Sequence, residues 1–342
     1  MKIVILSTTK SSSGGVERFS FYLKQGLLKD NHTVSILSKE DIYGSRVFLL
    51  GLSKYIGMGQ PVLGYFLGKM AEREGFDVCV TNGMLGWNIK NRKIINVQHG
   101  TFARAAERID KHKNIVKFFI KRYIWGYFES LAGRRATQCV AVSEETKESV
   151  EMYYGVKNVK VILNGVDTDF FKKENKVIAR KKLQLSQDKN ILLFVGRFEY
   201  AKGQEILEAI QNRLEEINAI LIIAEHYSQE QLVLLYSASD LFLLPSLHEG
   251  CSYALLDAMS VGLPFVASPV GLVDEFVNKK LFEECIVCDQ NIETYIKKIN
   301  FLLHLSNTQK DSLTRDMREY ILSSHSILKC ENEYNKLFME IS

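Results

Sequence analysis

Short apolar runs alternate with helical patterns along the whole chain, and this alternation constrains the fold more than any other feature of the sequence. Gly15 to Leu28, for example, carries apolar residues at helix spacing between the first two runs. Two βαβ series of this kind predict an α/β fold with two doubly wound, Rossmann-like domains facing a cleft. The runs interpreted as buried parallel strands are Ile3–Leu6, Val34–Leu37, Val78–Thr81, Ile94–Val97 and Cys139–Val142, then Ile191–Val195, Ile220–Ala224, Leu241–Leu244, Phe265–Ala267 and Ile286–Cys288.

A turn signal separates the two series. Asn164-Gly165-Val166-Asp167 follows the strand-like Val159–Leu163 and precedes a Lys-rich passage. The 342 residues are also long for one domain. We therefore predict an N-terminal domain at 1–165, a C-terminal domain at 166–325, and a last helix at 326–342 that returns to the first domain.

Composition excludes little. The chain has 44 Lys+Arg against 40 Asp+Glu, an excess too mild to indicate a nucleic-acid partner, and we predict none. Cys285 and Cys288 form one C-x-x-C without a second pair, which favours buried thiols over a metal or redox site. The start of the chain is too quickly polar for a signal peptide, and no window has the length of a membrane span. We expect a cytoplasmic protein.

The stretch 110–135 departs from the alternation. It is helical in pattern, and its Lys and Arg residues are interleaved with aromatic residues such as Phe118, Tyr123 and Trp125. A basic helix with aromatic anchors can lie on an anionic membrane surface, which would make the protein peripheral on the inner face of the cell membrane. The alternative is a long helix packed on the first sheet with solvated lysines.

Three glycine-marked turns follow predicted strands. Gly14-Gly15 opens the first helix, where backbone N–H groups can receive a phosphate, although such a turn is often only a turn. Gly196-Arg197, with Lys202 five residues later, offers two cations that could clamp a diphosphate or simply be solvated. The third turn runs from Pro245 into a helix that should begin near Ser252, with Glu249 on the loop.

The third turn carries a resemblance to a known family. Glu249 and Asp257, eight positions apart, resemble the E-x7-E signature of the retaining GT-B glycosyltransferases of family four. The match continues through Gly262, Pro264, Val266, Ala267, Ser268, Gly271 and Glu275. The Gly14-Gly15 turn, the join at Asn164–Asp167 and the Arg197/Lys202 loop follow in the family's order, so the resemblance spans nearly the whole chain.

The resemblance implies a metal-independent transferase that moves a hexose or N-acetylhexosamine from a nucleotide-diphosphate sugar. The donor would be a UDP-sugar, with a GDP-sugar as the alternative, and the C-terminal domain would bind it. The acceptor, bound by the N-terminal domain, would be a glycan or lipid-linked saccharide of surface polysaccharide or lipopolysaccharide biosynthesis. No further cofactor and no metal are implied.

The same resemblance assigns roles by position. Arg197 and Lys202 would bind the donor diphosphate, and Glu249 would hold sugar hydroxyls. His99, after the strand ending at Val97, would face the donor sugar; a structural histidine is the alternative. The remaining donor-binding positions would be Gly14, Gly15, Gly196, Gly250, Cys251, Ser252, Tyr253 and Asp257.

The sequence also departs from the family pattern. Asp257 stands where a second Glu is usual, Cys251 and Ser252 replace an aromatic residue and a glycine, and one β-α unit is missing between Gly203 and Pro245. A catalytically degenerate subunit that binds an active glycosyltransferase is therefore an alternative function. A GT-B epimerase is disfavoured because we can place no acid–base pair for it.

Overall fold

A computed structural model describes residues 1–11, 14–90, 92–111 and 113–341 of the chain. The chain divides into two units: residues 1–164 with the segment from Cys330 onward, and residues 165–329. His112, inside the predicted basic helix, lies outside the described residues.

The first unit contains a six-stranded, fully parallel sheet in the order β2-β1-β3-β4-β5-β6. The central strands are buried on both faces, as the continuous apolar runs predicted. The strands are β1 (Lys2–Leu6), β2 (Thr33–Leu37), β3 (Val78–Asn82), β4 (Ile94–Gln98), β5 (Gln138–Ala141) and β6 (Lys160–Val161).

Helices connect these strands. They are α1 (Gly15–Lys29), α2 (Ser45–Tyr55), α3 (Gly59–Glu74), α4 (Phe102–Ala105), α5 (Ile115–Phe119), α6 (Gly126–Arg135) and α7 (Glu144–Tyr154). Two π-helical segments, Ala106–Asp110 and Ile120–Trp125, and a 3₁₀ turn, Lys39–Asp41, complete the connections.

The chain's last helix, α15 (Ile327–Ile341), belongs from Cys330 onward to the first unit. There the buried Tyr334 ring packs on Phe19 of α1 with ring centroids 5.5 Å apart. Lys29 of α1 also pairs with Glu331 at 3.0 Å. These contacts hold the C-terminal residues against α1.

The second unit has a four-stranded parallel sheet in the order β10-β9-β7-β8. Its strands are β7 (Asn190–Val195), β8 (Ala219–Ala224), β9 (Leu241–Leu244) and β10 (Phe265–Ala267). Its helices are α8 (Lys176–Lys182), α9 (Gln204–Gln211), α10 (Gln229–Ala238), α11 (Tyr253–Val261), α12 (Leu272–Lys279), α13 (Ile292–Leu303) and α14 (Asn307–Ser324), with 3₁₀ turns at Tyr200–Lys202, Leu214–Ile217 and Glu283–Cys285.

Two parallel, helix-flanked sheets confirm the predicted α/β fold class. One predicted strand is wrong: Ile286–Cys288 forms only a single bridge, Ala267 to Ile286. A 3₁₀ turn ends just before it at Cys285, and the left-handed Gln290 turns the chain away just after it. Cys285 is buried, but Cys288 is exposed, so the expectation of two buried thiols fails for Cys288.

Candidate functional site

Three loops meet at the carboxyl edge of the second unit's sheet. They follow β7, β9 and β10, which are neighbours in the strand order. The Leu247 N–H donates to the Ala201 carbonyl at 3.0 Å, which joins the loops after β7 and β9. A Cβ on Gly271, in the loop after β10, would lie 2.6 Å from the Gly250 oxygen, so that loop packs directly on the second. The carboxyl edge of a parallel sheet is where ligands bind in this fold class.

Gly203 makes the closest of these approaches. Its φ of +83° is left-handed, and a Cβ there would stand 2.1 Å from the Pro245 carbonyl oxygen. Only glycine combines that conformation with that contact. Gly203 is the C-cap of the 3₁₀ turn Tyr200–Lys202, so its contact with Pro245 places that turn against the loop after β9.

Lys202 and Glu249 are brought together by this arrangement. Lys202 Nζ lies 2.7 Å from Glu249 Oε1, and the Ser246 hydroxyl donates to the same oxygen at 2.7 Å. The Glu249 side chain is nearly buried and that of Lys202 about one-quarter exposed. Two sequence-predicted residues, 47 positions apart, thus form one charged pair at the sheet edge.

Arg197 does not join that pair. It follows Gly196, whose φ is +144°, directly after β7. Its guanidinium pairs with Glu199 at 2.8 Å, and its side chain is 72% exposed. Arg197 therefore lies on the same loop as Lys202 with its charge in solvent, available to a ligand at little desolvation cost.

The start of α11 supplies backbone donors beside Glu249. Ser252 is the N-cap, as predicted, and its hydroxyl accepts from the Leu255 N–H at 3.4 Å. The first N–H groups of a helix have no intrahelical acceptor, and the helix dipole favours an anion there. Cys251 is half-buried, Tyr253 is buried in the first turn, and Asp257 is buried one turn further on.

The predicted residues of the first unit lie on different elements. Gly14 is the N-cap of α1, and a Cβ on it would lie 2.1 Å from Glu17 Oε2. The Glu17 carboxylate is thus folded over the Gly14-Gly15 turn. Because like charges repel, a phosphate could approach the Gly15 N–H only if Glu17 moved away.

His99 follows β4 and is held in one tautomer. Its Nε2 lies 2.8 Å from Asn82 Oδ1, and the Asn82 amide nitrogen donates to the Leu6 carbonyl at 2.7 Å, so Nε2 must carry the proton. The imidazole packs edge-on against Phe19, and burial lowers the pKa of His99 to about 3. The ring is therefore neutral at physiological pH, with Nδ1 an acceptor.

A buried polar network holds the backbone just after His99, and no sequence motif predicted it. Glu129 accepts a hydrogen bond from the Phe102 N–H at 3.0 Å and another from the Tyr154 hydroxyl. Thr101 bonds Ser149 through their hydroxyls at 2.5 Å and caps α4. Burial raises the pKa of Glu129 to about 7. The available signal was that Glu129 is the one acidic residue between Lys111 and Arg135.

Within the described ranges, no three His, Cys, Asp or Glu side chains converge to hold a metal ion. In the same part of the chain, no helix has the length and apolar character needed to cross a bilayer. Metal independence and cellular location stay predictions.

Comparison with known proteins follows the same division into two units. Residues 13–170 match the model of Glycosyltransferase Family 4, and residues 181–304 match that of Glycosyl transferases group 1. The sucrose-phosphate synthase of Thermosynechococcus elongatus superposes with a TM-score of 0.76 at 16% identity, covering 99% of this chain and 98% of that one. The fold is that of the GT-B glycosyltransferases.

The curated relatives of this GT-B-fold chain are named as glycosyltransferases. An uncharacterized glycosyltransferase of Methanocaldococcus jannaschii is 29% identical over 45% of this chain, but the match spans only 47% of that protein's length. A UDP-Gal:alpha-D-GlcNAc-diphosphoundecaprenol alpha-1,3-galactosyltransferase of Escherichia coli is 24% identical over 80% of this chain and 78% of its own. These matches support a glycosyltransferase and leave donor, acceptor and stereochemistry to be proposed.

Proposed function

We propose that the protein is a retaining glycosyltransferase that moves a hexose or N-acetylhexosamine from a nucleotide-diphosphate sugar to a glycan or lipid-linked acceptor in surface polysaccharide synthesis. The observation that carries the proposal is the Lys202–Glu249 pair, which joins a cation and a carboxylate from two adjacent loops beside the start of α11. An ammonium, a helix N-terminus and a carboxylate together suit a sugar diphosphate, whose one end is anionic and whose other end carries hydroxyls.

The cations serve the leaving group. As the bond between the anomeric carbon and the phosphate oxygen breaks, the nucleoside diphosphate takes the electron pair and its negative charge rises. Lys202 and the first N–H groups of α11 are already held in place and would stabilise that charge without reorganisation of solvent. The exposed Arg197 would turn to the diphosphate when the donor binds. Asp257 would reach the ribose directly or through a water.

Glu249 would position the sugar. The protein already uses its Oε1 for Lys202 and Ser246, so Oε2 would accept from a sugar hydroxyl. His99 would accept from another hydroxyl through Nδ1, in keeping with its tautomer, and Gly15 would donate its N–H to the phosphates once Glu17 has moved. The acceptor oxygen would attack the anomeric carbon from the face that the diphosphate leaves, and a donor phosphate oxygen would take the acceptor proton.

The donor we favour is a UDP-sugar, because the Escherichia coli relative is named for UDP-Gal. That relative is also named for a diphosphoundecaprenol acceptor, which supports a lipid-linked acceptor here and a peripheral position on the cell membrane. We do not favour a non-catalytic role, because Lys202 and Glu249, the two residues assigned to the diphosphate and the sugar, lie together at the sheet edge.

A panel of UDP- and GDP-sugars tests the proposal through the release of nucleotide in the presence of acceptor, with EDTA present in a parallel series. We expect turnover with a UDP-sugar that EDTA does not reduce, and proton NMR of the product should show the anomeric configuration of the donor. An inverted product would refute retention, and donor binding by calorimetry without any transfer would favour the non-catalytic subunit.

A further inference from the structure

Helix α2 has its apolar side turned outward. Phe48, Leu52 and Tyr55 follow one another at helical spacing and are exposed, with Phe48 at 72% and Tyr55 at 90%. The one fully buried residue of the helix is Ser53, and Leu50 is the residue that packs against the core. An amphipathic helix in a soluble protein normally shows the reverse, and here the apolar side of α2 is left exposed to solvent.

The segment from Ile115 to Tyr127 exposes a second apolar side. Phe119, Tyr123 and Tyr127 are each more than half exposed, and the rings of Phe119 and Tyr123 stack with centroids 5.6 Å apart. Of the 27 large apolar side chains exposed among the described residues, seven lie in 43–56 and six in 115–127. Nearly half of the exposed apolar side chains are thus concentrated in two short segments.

The two segments meet at Gly57, directly after α2. The Trp125 indole N–H donates to the Gly57 carbonyl at 2.6 Å, and a Cβ on Gly57 would lie 2.9 Å from the Ile120 side chain. The left-handed Gly57, with φ of +72°, lets the chain turn at this contact. We call residues 43–56 together with 115–127 the apolar face.

The charged residues of the apolar face itself are all basic. Residues 42–71 contain three Lys or Arg, residues 111–128 contain five, and neither range contains an Asp or Glu. Lys121 and Arg122 are paired with Asp110 and Glu107 from the preceding π-helical segment. Lys54 and Lys117 are exposed beside the apolar residues. Long cationic side chains among exposed aromatic residues match the headgroup region of an anionic bilayer.

We propose that the apolar face docks on the surface of an anionic phospholipid bilayer, and that both α2 and the segment from Ile115 to Tyr127 contribute to this contact. A protein partner fits less well, because the buried centres of protein interfaces are depleted in lysine. The inference rests on the proposed function in that a lipid-linked acceptor would place this enzyme at a membrane, but the docking itself needs neither donor nor acceptor.

Vesicle flotation tests the contribution of α2. The protein should float with vesicles of equimolar phosphatidylglycerol and phosphatidylcholine, and it should remain behind with phosphatidylcholine alone. The double substitution Phe48→Ser and Tyr55→Ser should lower the vesicle partition coefficient at least about tenfold, because two anchoring aromatic side chains are lost. Phe301→Ser in the second unit, which is 51% exposed, is the matched control and should leave partition unchanged.

The charge contribution is measured separately. Lys54→Gln and Lys117→Gln should each weaken partition about fivefold at low salt and much less at high salt. Wild-type partition in the Phe48/Tyr55 variant would overturn the role of α2, and equal flotation with phosphatidylcholine alone would overturn the anionic surface. If the Phe48/Tyr55 variant changes the sedimentation coefficient and not the partition, the face binds a second copy of the chain and the proposal is wrong. Donor turnover measured without vesicles tests the proposed function separately from membrane docking.

Discussion

The loop that follows β4 in the first unit and the loops that follow β7 and β9 in the second are held by opposite means. Around His99 the groups are buried: Asn82 accepts a hydrogen bond from His99, Glu129 accepts one from the Phe102 N–H, and Thr101 bonds Ser149. Lys202 and Glu249 form an ion pair that keeps partial access to solvent. The stability of the first arrangement should therefore depend on pH, whereas the second should bind a charged ligand.

The largest expected effect comes from removing the charges of the second unit. Lys202→Ala and Glu249→Ala should each reduce kcat/KM for the donor by about 10²–10³-fold, and Arg197→Ala should also reduce it. The Lys202 and Arg197 variants lose a charge that stabilises the leaving diphosphate, and the Glu249 variant loses the contact that positions the sugar. Steady-state kinetics with the preferred donor measure this. Lys182→Ala on α8, which removes an exposed lysine paired with Glu174, is the control. A wild-type kcat/KM in the Lys202 variant would show that the proposed donor site is wrong.

Gly203 tests whether loop contact, and not charge alone, organises the second unit. Gly203→Ala adds a Cβ at 2.1 Å from the Pro245 oxygen and must separate the two loops, so we expect kcat/KM for the donor to fall about tenfold or more. Gly75→Ala is the matched control: its φ is +72° but nothing lies within 4 Å of the added Cβ. That control should cost about 1–2 kcal/mol of strain and leave kinetics unchanged. Equal kinetics in both variants would show that the loop contact is dispensable.

The pH response tests the first unit, and both tryptophans of the chain, Trp87 and Trp125, report on that unit alone. Glu129 has a pKa of about 7 against an ordinary 4.5, so its proton is bound more tightly when folded, and the free energy of unfolding falls as pH rises from about 4.5 to 7. His99 has a pKa of about 3 against 6.5, so the free energy of unfolding rises with pH between those values.

Between pH 4.5 and 6.5 the two slopes, each about 1.4 kcal/mol per pH unit, should cancel. Glu129→Gln should therefore show a free energy of unfolding that rises with pH relative to wild type across this interval, and His99→Asn should show one that falls. Denaturant titrations followed by tryptophan fluorescence at several pH values measure both. Parallel pH profiles in the two variants would contradict the opposite pKa shifts that burial causes in Glu129 and His99.

What the sequence could predict depended on whether the signal was local. The apolar runs predicted the strands because a parallel strand buries both faces, and Ser252 was found as an N-cap because capping is read over a few residues. The Glu129 network joins residues from α4, α6 and α7, so no spacing along the chain reveals it. The outward face of α2 was missed because periodicity shows that a helix is amphipathic, not which side faces the core.

The smallest expected effect comes from removing the hydroxyl group of either of two tyrosines in the first unit. Tyr334 is buried with a hydroxyl that has no hydrogen-bond partner, whereas the Tyr154 hydroxyl donates to Glu129. Tyr334→Phe should raise the free energy of unfolding by about 1 kcal/mol, because the cost of an unsatisfied buried hydroxyl disappears. Tyr154→Phe should lower it by about 1–3 kcal/mol, since Glu129 loses a donor. Tryptophan-monitored denaturation reads both. If the two substitutions shift stability in the same direction, hydrogen bonding does not control the stability of this unit.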